Sequence, residues 1–461
     1  MAIVLAILSG LVLNLAFAPW NIWPAAYLAL GSLFYLLLDK ERLTRVSIAI
    51  AFGLSFFLLL LHWSGSYVGW FPWVSLAVLQ ASFFAPLALI RFERNVYGAI
   101  SFASCLLLVE LLRMKFPFGG FGWGRIGHTQ TASLSILYPV VGVAGITFTV
   151  AIAAALLMLR QWKNIAVVAL LLSFSALVPS TVDKNGKVQV LAVQGGVDQL
   201  GLEFNQRALS VLRRHIAATE ISESAQLVVW PENASDLDPE KNPIAKREIS
   251  ELLQKLGKPL LVNAIERGTA GPLNVSILFK PDGSKTRYIK QDLAPFGEYM
   301  PLRGFAERIV PAARRVVDFQ PGKRAVIFTL KQNTFATLIC FEILDDDLVR
   351  KSTLGSSFLV NQTNNATFGT SNQAAQQLQI ASARAAELKR DLIAVSTTGF
   401  TAHIDSSGKT LDKLVQFKAG GLAAEMATHQ GGSIASHLGS TFWIGFGLLA
   451  MTTQRLRRLS R

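Results

Sequence analysis

The sequence predicts a two-part fold: a membrane α-helical bundle of about eight spans, and a layered α/β domain inserted before the last span. Three observations carry this. The 461 residues are half hydrophobic and only 16% charged, with a mean hydropathy of +0.40. Seven apolar runs precede residue 180 and an eighth follows residue 437, while the stretch between alternates short β-branched runs with amphipathic ones. The basic excess sits with the apolar runs: residues 1–179 hold ten Lys/Arg against four Asp/Glu, and four Arg follow residue 437. Despite a pI near 9.9, this places the charge at membrane edges rather than on a nucleic-acid surface. The expected domains are therefore 1–179 (about seven spans), 180–437, and 438–461 (a last span and a basic tail).

The runs lie at about 3–18, 22–38, 46–61, 74–90, 96–112, 139–159 and 165–178, with a weaker one at Phe442–Met451. Lys40, Arg42 and Arg45, then Arg91 and Arg94, then Arg160 and Lys163 fall in alternate loops. Loops 19–21 and 62–73 carry no Lys or Arg, although Arg113, Lys115 and Arg125 dilute the pattern. The alternation puts both termini inside and residues 180–437 outside. Ala16-Phe17-Ala18 matches a signal-peptide cleavage pattern, but no basic residue precedes the run and another apolar run follows at once, so an uncleaved first span is expected. Trp63, Tyr67, Trp70, Phe71 and Trp73, then Phe116, Phe118, Phe121 and Trp123, read as interfacial anchors. Glu110 and Arg113 are spaced to pair on one helix, and Arg125 and His128 are candidates for contact with a lipid headgroup.

In the middle domain the expected strands are 188–194, 227–230, 259–265, 275–279, 325–330, 334–339, 358–361 and 392–396. Helices are expected at 203–220, 241–256 and 371–389. The GxGxxG spacing at Gly122–Gly127 lies in a loop between apolar runs rather than after a strand, and there is no Walker loop or HExxH, so nucleotide and zincin readings have no support. Of the two cysteines, Cys105 lies inside an apolar run, which excludes a disulfide framework and a cysteine-rich zinc site. No metal and no cofactor are expected.

Three reactive residues stand just beyond strand ends: Glu232, Lys290 and Cys340. Such positions converge on one crevice in a layered sheet. The set suits acyl transfer. A thiol is the nucleophile, a carboxylate takes its proton, and an ammonium holds the oxyanion of a tetrahedral intermediate. With Glu342 two residues on and the run Asp345-Asp346-Asp347 beyond, the cysteine is expected to face a cleft.

Trp230-Pro231-Glu232, Tyr288-Ile289-Lys290 leading into Pro295-Phe296-Gly297-Glu298-Tyr299-Met300-Pro301-Leu302, and Ile339-Cys340-Phe341-Glu342 resemble the nitrilase (carbon–nitrogen hydrolase) superfamily. More closely, the chain resembles the bacterial apolipoprotein N-acyltransferase family over essentially its whole length. Further matching runs are Asn14 to Trp20, Glu110 to Arg113, Gly142 to Gly145, Thr363 to Gly369, and Arg384, Glu387 and Arg390. The resemblance implies a nitrilase-like αββα sandwich in the periplasm, borne by a multi-pass protein of the bacterial inner membrane. It implies transfer of an acyl chain from a phospholipid to the amine of a lipoprotein's S-diacylglyceryl-cysteine by a monomer. Carried over by motif, Cys340 is nucleophile, Glu232 base and Lys290 oxyanion stabiliser. Glu298, Tyr299, Phe341 and Glu342 support the site, and Trp230 joins Arg125 and His128 as a lipid-contact candidate. The chain departs from the family at Gly196 for Asn, Phe341 for Tyr, Asp292 for His and Thr397 for Asn, and has Phe204 near a usual Trp. Two other readings are a membrane-tethered amidase, with water as acceptor, and a transporter with a receptor domain. The second is disfavoured because the apolar runs hold almost no ionisable residue besides Glu110.

Overall fold

The computed structural model describes residues 1–175, 178, 181–220, 223–309 and 311–459. Part of the expected run at 165–178 and the side chains of Arg455, Arg457 and Arg458 lie outside the described residues. The chain divides into two compact units. One comprises Met1–Thr181, Ala386–Leu388 and Ser433–Arg461; the other comprises Val182–Ala385 and Lys389–Gly432.

In the first unit the apolar runs become α1 (Ala2–Asn14), α2 (Pro24–Leu37), α3 (Arg42–Leu60), α4 (Trp70–Ser82), α5 (Val96–Arg113), a single turn α6 (Thr131–Leu134), α7 (Tyr138–Met158) and α8 (Trp162–Ser175). Helices α3, α5 and α7, and α4 with its continuation to Leu89, have 18–21 residues and are apolar enough to cross a bilayer. Helices α1, α2 and α8, at 13, 14 and 14 residues, are shorter than an average span. The start of α5 is fixed by Asn95, whose Oδ1 accepts from the Tyr97 and Gly98 N–H groups. Gly142, at φ 65°, breaks α7 and frees the Val143 N–H to donate to Glu387 (2.9 Å).

Between α5 and α7 the aromatic loop is folded inward by buried polar groups. Arg113 donates to Gln80 Oε1 (3.2 Å) and to the carbonyls of Phe121 (3.0 Å) and Trp123 (2.6 Å). Glu110 accepts from the Ile126 N–H and the Thr147 hydroxyl, both at 2.8 Å, and lies 3.6 Å from Arg125 Nε.

The second unit holds two six-stranded sheets. Its elements are β1 (Val182–Gln194), α9 (Ser210–Ala218), β2 (Leu227–Val229), α10 (Pro243–Leu256), β3 (Leu260–Arg267), β4 (Pro272–Phe279), β5 (Lys285–Ile289), α11 (Arg303–Ile309), β6 (Phe328–Leu330), β7 (Asn333–Ile339), α12 (Asp346–Thr353), β8 (Phe358–Thr363), α13 (Gln373–Leu388), β9 (Leu392–Ser396), β10 (Ala402–Ile404), β11 (Thr410–Lys413) and β12 (Gly420–Gly431). After them α14 (Ile434–Leu459), kinked at Gly439, belongs to the first unit, and its Ile434–Thr453 stretch is again long and apolar enough to cross a membrane.

One sheet runs β12-β1-β2-β3-β4-β5 and the other β11-β10-β9-β8-β7-β6. Val188, Val190, Leu227 and Val229 of the first meet Phe335, Phe358, Val360 and Ile393 of the second in one apolar core. Alternate residues, Val228 and Trp230 among them, turn to the opposite face, where Leu212 of α9 and Ile249, Leu252 and Leu256 of α10 cover them. Strands β1, β2 and β3 are parallel, and two antiparallel steps return β5 to the same direction. In the other sheet β7, β8 and β9 are parallel. The ends of β2 and β5 thus open on one edge of their sheet, and those of β7 and β8 on one edge of theirs.

Three expectations are corrected. The helix expected over 203–220 is confined to Ser210–Ala218, because Leu209 is left-handed (φ 64°) and Phe204 leaves to pack with Val197, Leu200, Val211 and Ala366. Strands β10 to β12 were not foreseen: β12 is rich in Gly and Ala, which give little strand signal, yet it pairs with β1 along twelve residues. The third is a helix not expected after the cysteine, α12, which the aspartate run opens. Asp345 caps α12 by accepting the Leu348 N–H (2.7 Å), and Asp346 pairs with Arg384 (2.5 Å).

Candidate active site

Cys340 follows the last residue of β7 and opens a 3-10 turn over Cys340–Leu344. Its φ is 52°, a left-handed conformation that a non-glycine residue holds only when its surroundings impose it. Glu342 is part of what imposes it. This fully buried carboxylate accepts from the Ile339 N–H (2.7 Å), the Tyr288 hydroxyl (2.7 Å) and the Gln291 N–H (2.6 Å). It thereby ties the cysteine turn to the segment entering Lys290. Burial pushes the Glu342 carboxyl up to about 7, against the hydrogen bonds that favour its charged form.

The three strand-end residues converge. Lys290 Nζ lies 2.8 Å from Glu298 Oε2 and 3.4 Å from Glu232 Oε1. Glu232 and Lys290 are 5% and 2% exposed, so this charge cluster is desolvated, while Cys340 is half-buried. Burial pushes the Glu232 carboxyl up, Lys290 opposes this, and Glu298 adds to it. Burial alone would lower the Lys290 ammonium; Glu298 and Glu232 outweigh it and hold the ammonium well above its usual range. The Cys340 thiol is pushed up by burial and further by Glu232, with Lys290 acting against both. The resting arrangement is therefore a protonated thiol beside a carboxylate of raised proton affinity and a fixed positive charge, which suits proton transfer coupled to attack.

Amide groups hold the carboxylates. Asn274 Nδ2 donates to Glu232 Oε1 (2.9 Å) and to Glu298 Oε1 (3.0 Å). The Asn364 N–H, just beyond β8, donates to Glu232 Oε2 (3.0 Å). Glu298 also accepts from the Ala294 N–H (2.8 Å) inside a turn closed by the Phe296 N–H donating to the Tyr299 carbonyl (2.8 Å). Tyr299 and Phe341 are half-buried on either side of this arrangement in sequence.

Sequence reasoning missed Asn274 and Gln377. A polar residue in the otherwise apolar run of β4 was the available signal for the first. Three further candidates are not lipid contacts as placed. Trp230 is 0% exposed, its ring in the core against α9 and α10 and its Nε1 donating to Thr219 (3.0 Å). Arg125 and His128 are likewise 0% exposed, inside the first unit.

A thiol, a carboxylate and a lysine gathered at the strand ends of a two-sheet sandwich are the features of a carbon–nitrogen hydrolase. A family model described as carbon-nitrogen hydrolase matches residues 158–435, and one described as the apolipoprotein N-acyltransferase N-terminal domain matches residues 9–156. The chain belongs to the apolipoprotein N-acyltransferase family. It is 32% identical to the apolipoprotein N-acyltransferase of Mycolicibacterium smegmatis, covering 90% of this chain and 78% of that one. To the protein of that name from Haemophilus influenzae it is 30% identical, covering 95% and 91%. An amidase of the nitrilase superfamily from Nesterenkonia matches 53% of this chain and 93% of its own, at 15% identity and a TM-score of 0.41.

Proposed function

We propose that this protein moves a fatty acyl chain from a membrane phospholipid to the N-terminal amine of S-diacylglyceryl-cysteine in apolipoproteins, through a thioester on Cys340. The observation that carries this reading is the contact of Lys290 with Glu232 and Glu298 beside the Cys340 turn. Glu232 takes the thiol proton as sulfur attacks the ester carbonyl. The Lys290 ammonium stabilises the tetrahedral oxyanion, and the lysophospholipid alkoxide leaves with the proton from Glu232. In the second half the lipoprotein amine attacks the thioester, gives a proton to Glu232 and releases the thiol. Glu298 and Glu342 position the ammonium and the nucleophile turn, with Tyr299 and Phe341 completing the surroundings.

The remaining parts of the reading are the placement in the bacterial inner membrane, residues 180–437 in the periplasm as the catalytic domain, residues 1–179 and 438–461 as membrane parts with both termini inside, and action as a monomer without a cofactor. The alternation of basic loops supports the orientation. Protein held with phospholipid and no acceptor should gain one acyl mass on the Cys340 peptide, removable by hydroxylamine and absent in Cys340→Ala. An adduct that persists in Cys340→Ala would refute the assignment, as would free fatty acid as the sole product when a diacylated lipopeptide is supplied.

A further inference from the structure

Behind the cysteine lies a chain of side-chain amides joined by hydrogen bonds from Ser396 to Gln377. It starts at the Gly399 N–H, which can only donate, and which donates to Ser396 Oγ (2.8 Å). The Ser396 hydroxyl hydrogen is thereby directed to Asn365 Oδ1, which also accepts from the Thr363 hydroxyl (3.1 Å). With its oxygen occupied, Asn365 points Nδ2 the other way, donating to Gln373 Oε1 (2.6 Å) and Gln377 Oε1 (2.9 Å). Gln377 Oε1 takes a second hydrogen from Gln373 Nε2 (3.2 Å). Its own Nε2 is left to face the nucleophile, 3.3 Å from the Cys340 carbonyl and 3.8 Å from Cys340 Sγ. Turning over the Gln377 amide alone would set its Nε2 against the Asn365 and Gln373 amide nitrogens, so its orientation is tied to theirs.

Gly399 is required where it stands, since a Cβ there would come within 2.3 Å of Asn365 Oδ1. All the side chains of the relay are buried, and none is charged. The relay therefore delivers a fixed N–H dipole to the sulfur without adding a competing ion.

We infer that Gln377 is a catalytic residue of this site: its polarised N–H bond is aimed at Cys340 Sγ to stabilise the thiolate, and Asn365, Gln373 and Ser396 are the positioning residues that keep it aimed. The inference rests on Cys340 being the nucleophile of the proposed reaction, and it adds a fourth group to Glu232, Lys290 and Glu298, the charged residues that act on the sulfur. Gln377 is also among the groups that favour the charged form of the thiol. Glu232 and Glu298 oppose that form and Lys290 favours it, so a neutral donor on the far side adds to the lysine without raising the proton affinity of Glu232.

The test is the pH profile of Cys340 alkylation by iodoacetamide in the full chain in detergent, read by peptide mass, with Cys105→Ala as the common background. Gln377→Met, close in shape but without a donor, should alkylate about tenfold more slowly at neutral pH, with its profile displaced upward by about one pH unit, the size of one lost hydrogen bond to a charged group. Gln377→His, which keeps an N–H donor, should restore most of the rate. If Gln377→Met does not accumulate as folded protein, Gln377→Glu gives the same comparison and should be slower still. Profiles of the donor-free variants that superimpose on the parent, or a histidine variant no faster than methionine, would overturn the assignment and leave Gln377 a packing residue. Alkylation needs no lipid, so failure of the phospholipid adduct with an intact Gln377 effect would instead reject the proposed function alone.

Discussion

Each unit of this molecule buries a carboxylate beside a cation, and the two pairs have similar separations: Glu110 to Arg125 at 3.6 Å and Glu232 to Lys290 at 3.4 Å. In the helical unit, Glu110 is committed on both oxygens, to the Ile126 N–H and the Thr147 hydroxyl, and the result is a loop held to two helices. In the sandwich, Glu232 is held by Asn274 and Asn364 but also serves as a hydrogen-bond partner of a half-buried thiol. A buried ion pair by itself marks neither a site nor its absence. A thiol beside the pair is what separates the cluster around Lys290 from the one around Arg125.

The sharpest way to break this contrast is to neutralise each carboxylate. Glu232→Gln should lower transfer by about 10³-fold, within the range for loss of a general base, with little change in melting temperature, because Lys290 keeps Glu298 as a partner at 2.8 Å. Glu110→Leu should do the reverse: about 3 kcal/mol of stability lost with the buried ion pair and the hydrogen bonds Glu110 accepts from Ile126 and Thr147, measured by detergent unfolding, with the rate per folded molecule retained. A rate loss in Glu110→Leu equal to that of Glu232→Gln would erase the distinction.

A smaller effect is expected at Asn274, whose one amide serves two carboxylates. Asn274→Ala should slow thioester formation about tenfold and leave Cys340 alkylation by a neutral reagent less affected, since the nucleophile turn is held elsewhere. The smallest concerns pH. The folded Glu342 carboxyl titrates near 7, above its unfolded value of about 4.3. Its contribution to stability is therefore fully present below about 4.3 and is lost as pH rises through 7. Melting temperatures of the parent and Glu342→Gln, taken at pH 5 and pH 8, should show a steeper fall in the parent; parallel lines would remove Glu342 from the balance.

Much of the architecture was legible because the two kinds of apolar run differ in length, and because a cysteine at a strand end is rare enough to be noticed. The amides were less legible. Asn274 and Gln377 meet their partners 42 and 37 residues away; a polar residue in the mostly apolar run of β4 hints at the first, while nothing in an isolated Gln on a helix distinguishes Gln377 from a solvated surface group. Trp230 was misread although its placement is implicit in the strand: Val228 and Trp230 share one parity and Leu227 and Val229 the other, so the ring follows the face covered by helices.

The pairing of β1 with β12 has a consequence for biosynthesis. Val182 lies opposite Gly431 and Gln194 opposite Gly420, so the first strand of the second unit finds this neighbour only when its last strand exists. Closing a loop of that length delays the contact far more than it weakens it. On the ribosome, the helices up to Ser175 can form while β1 still waits with one edge bare; the sheet is completed only when nearly the whole chain has been made. A chain cut short before residue 420 would carry Glu232, Lys290, Cys340 and Gln377 and yet expose an unpaired strand edge, a form suited to aggregation and degradation.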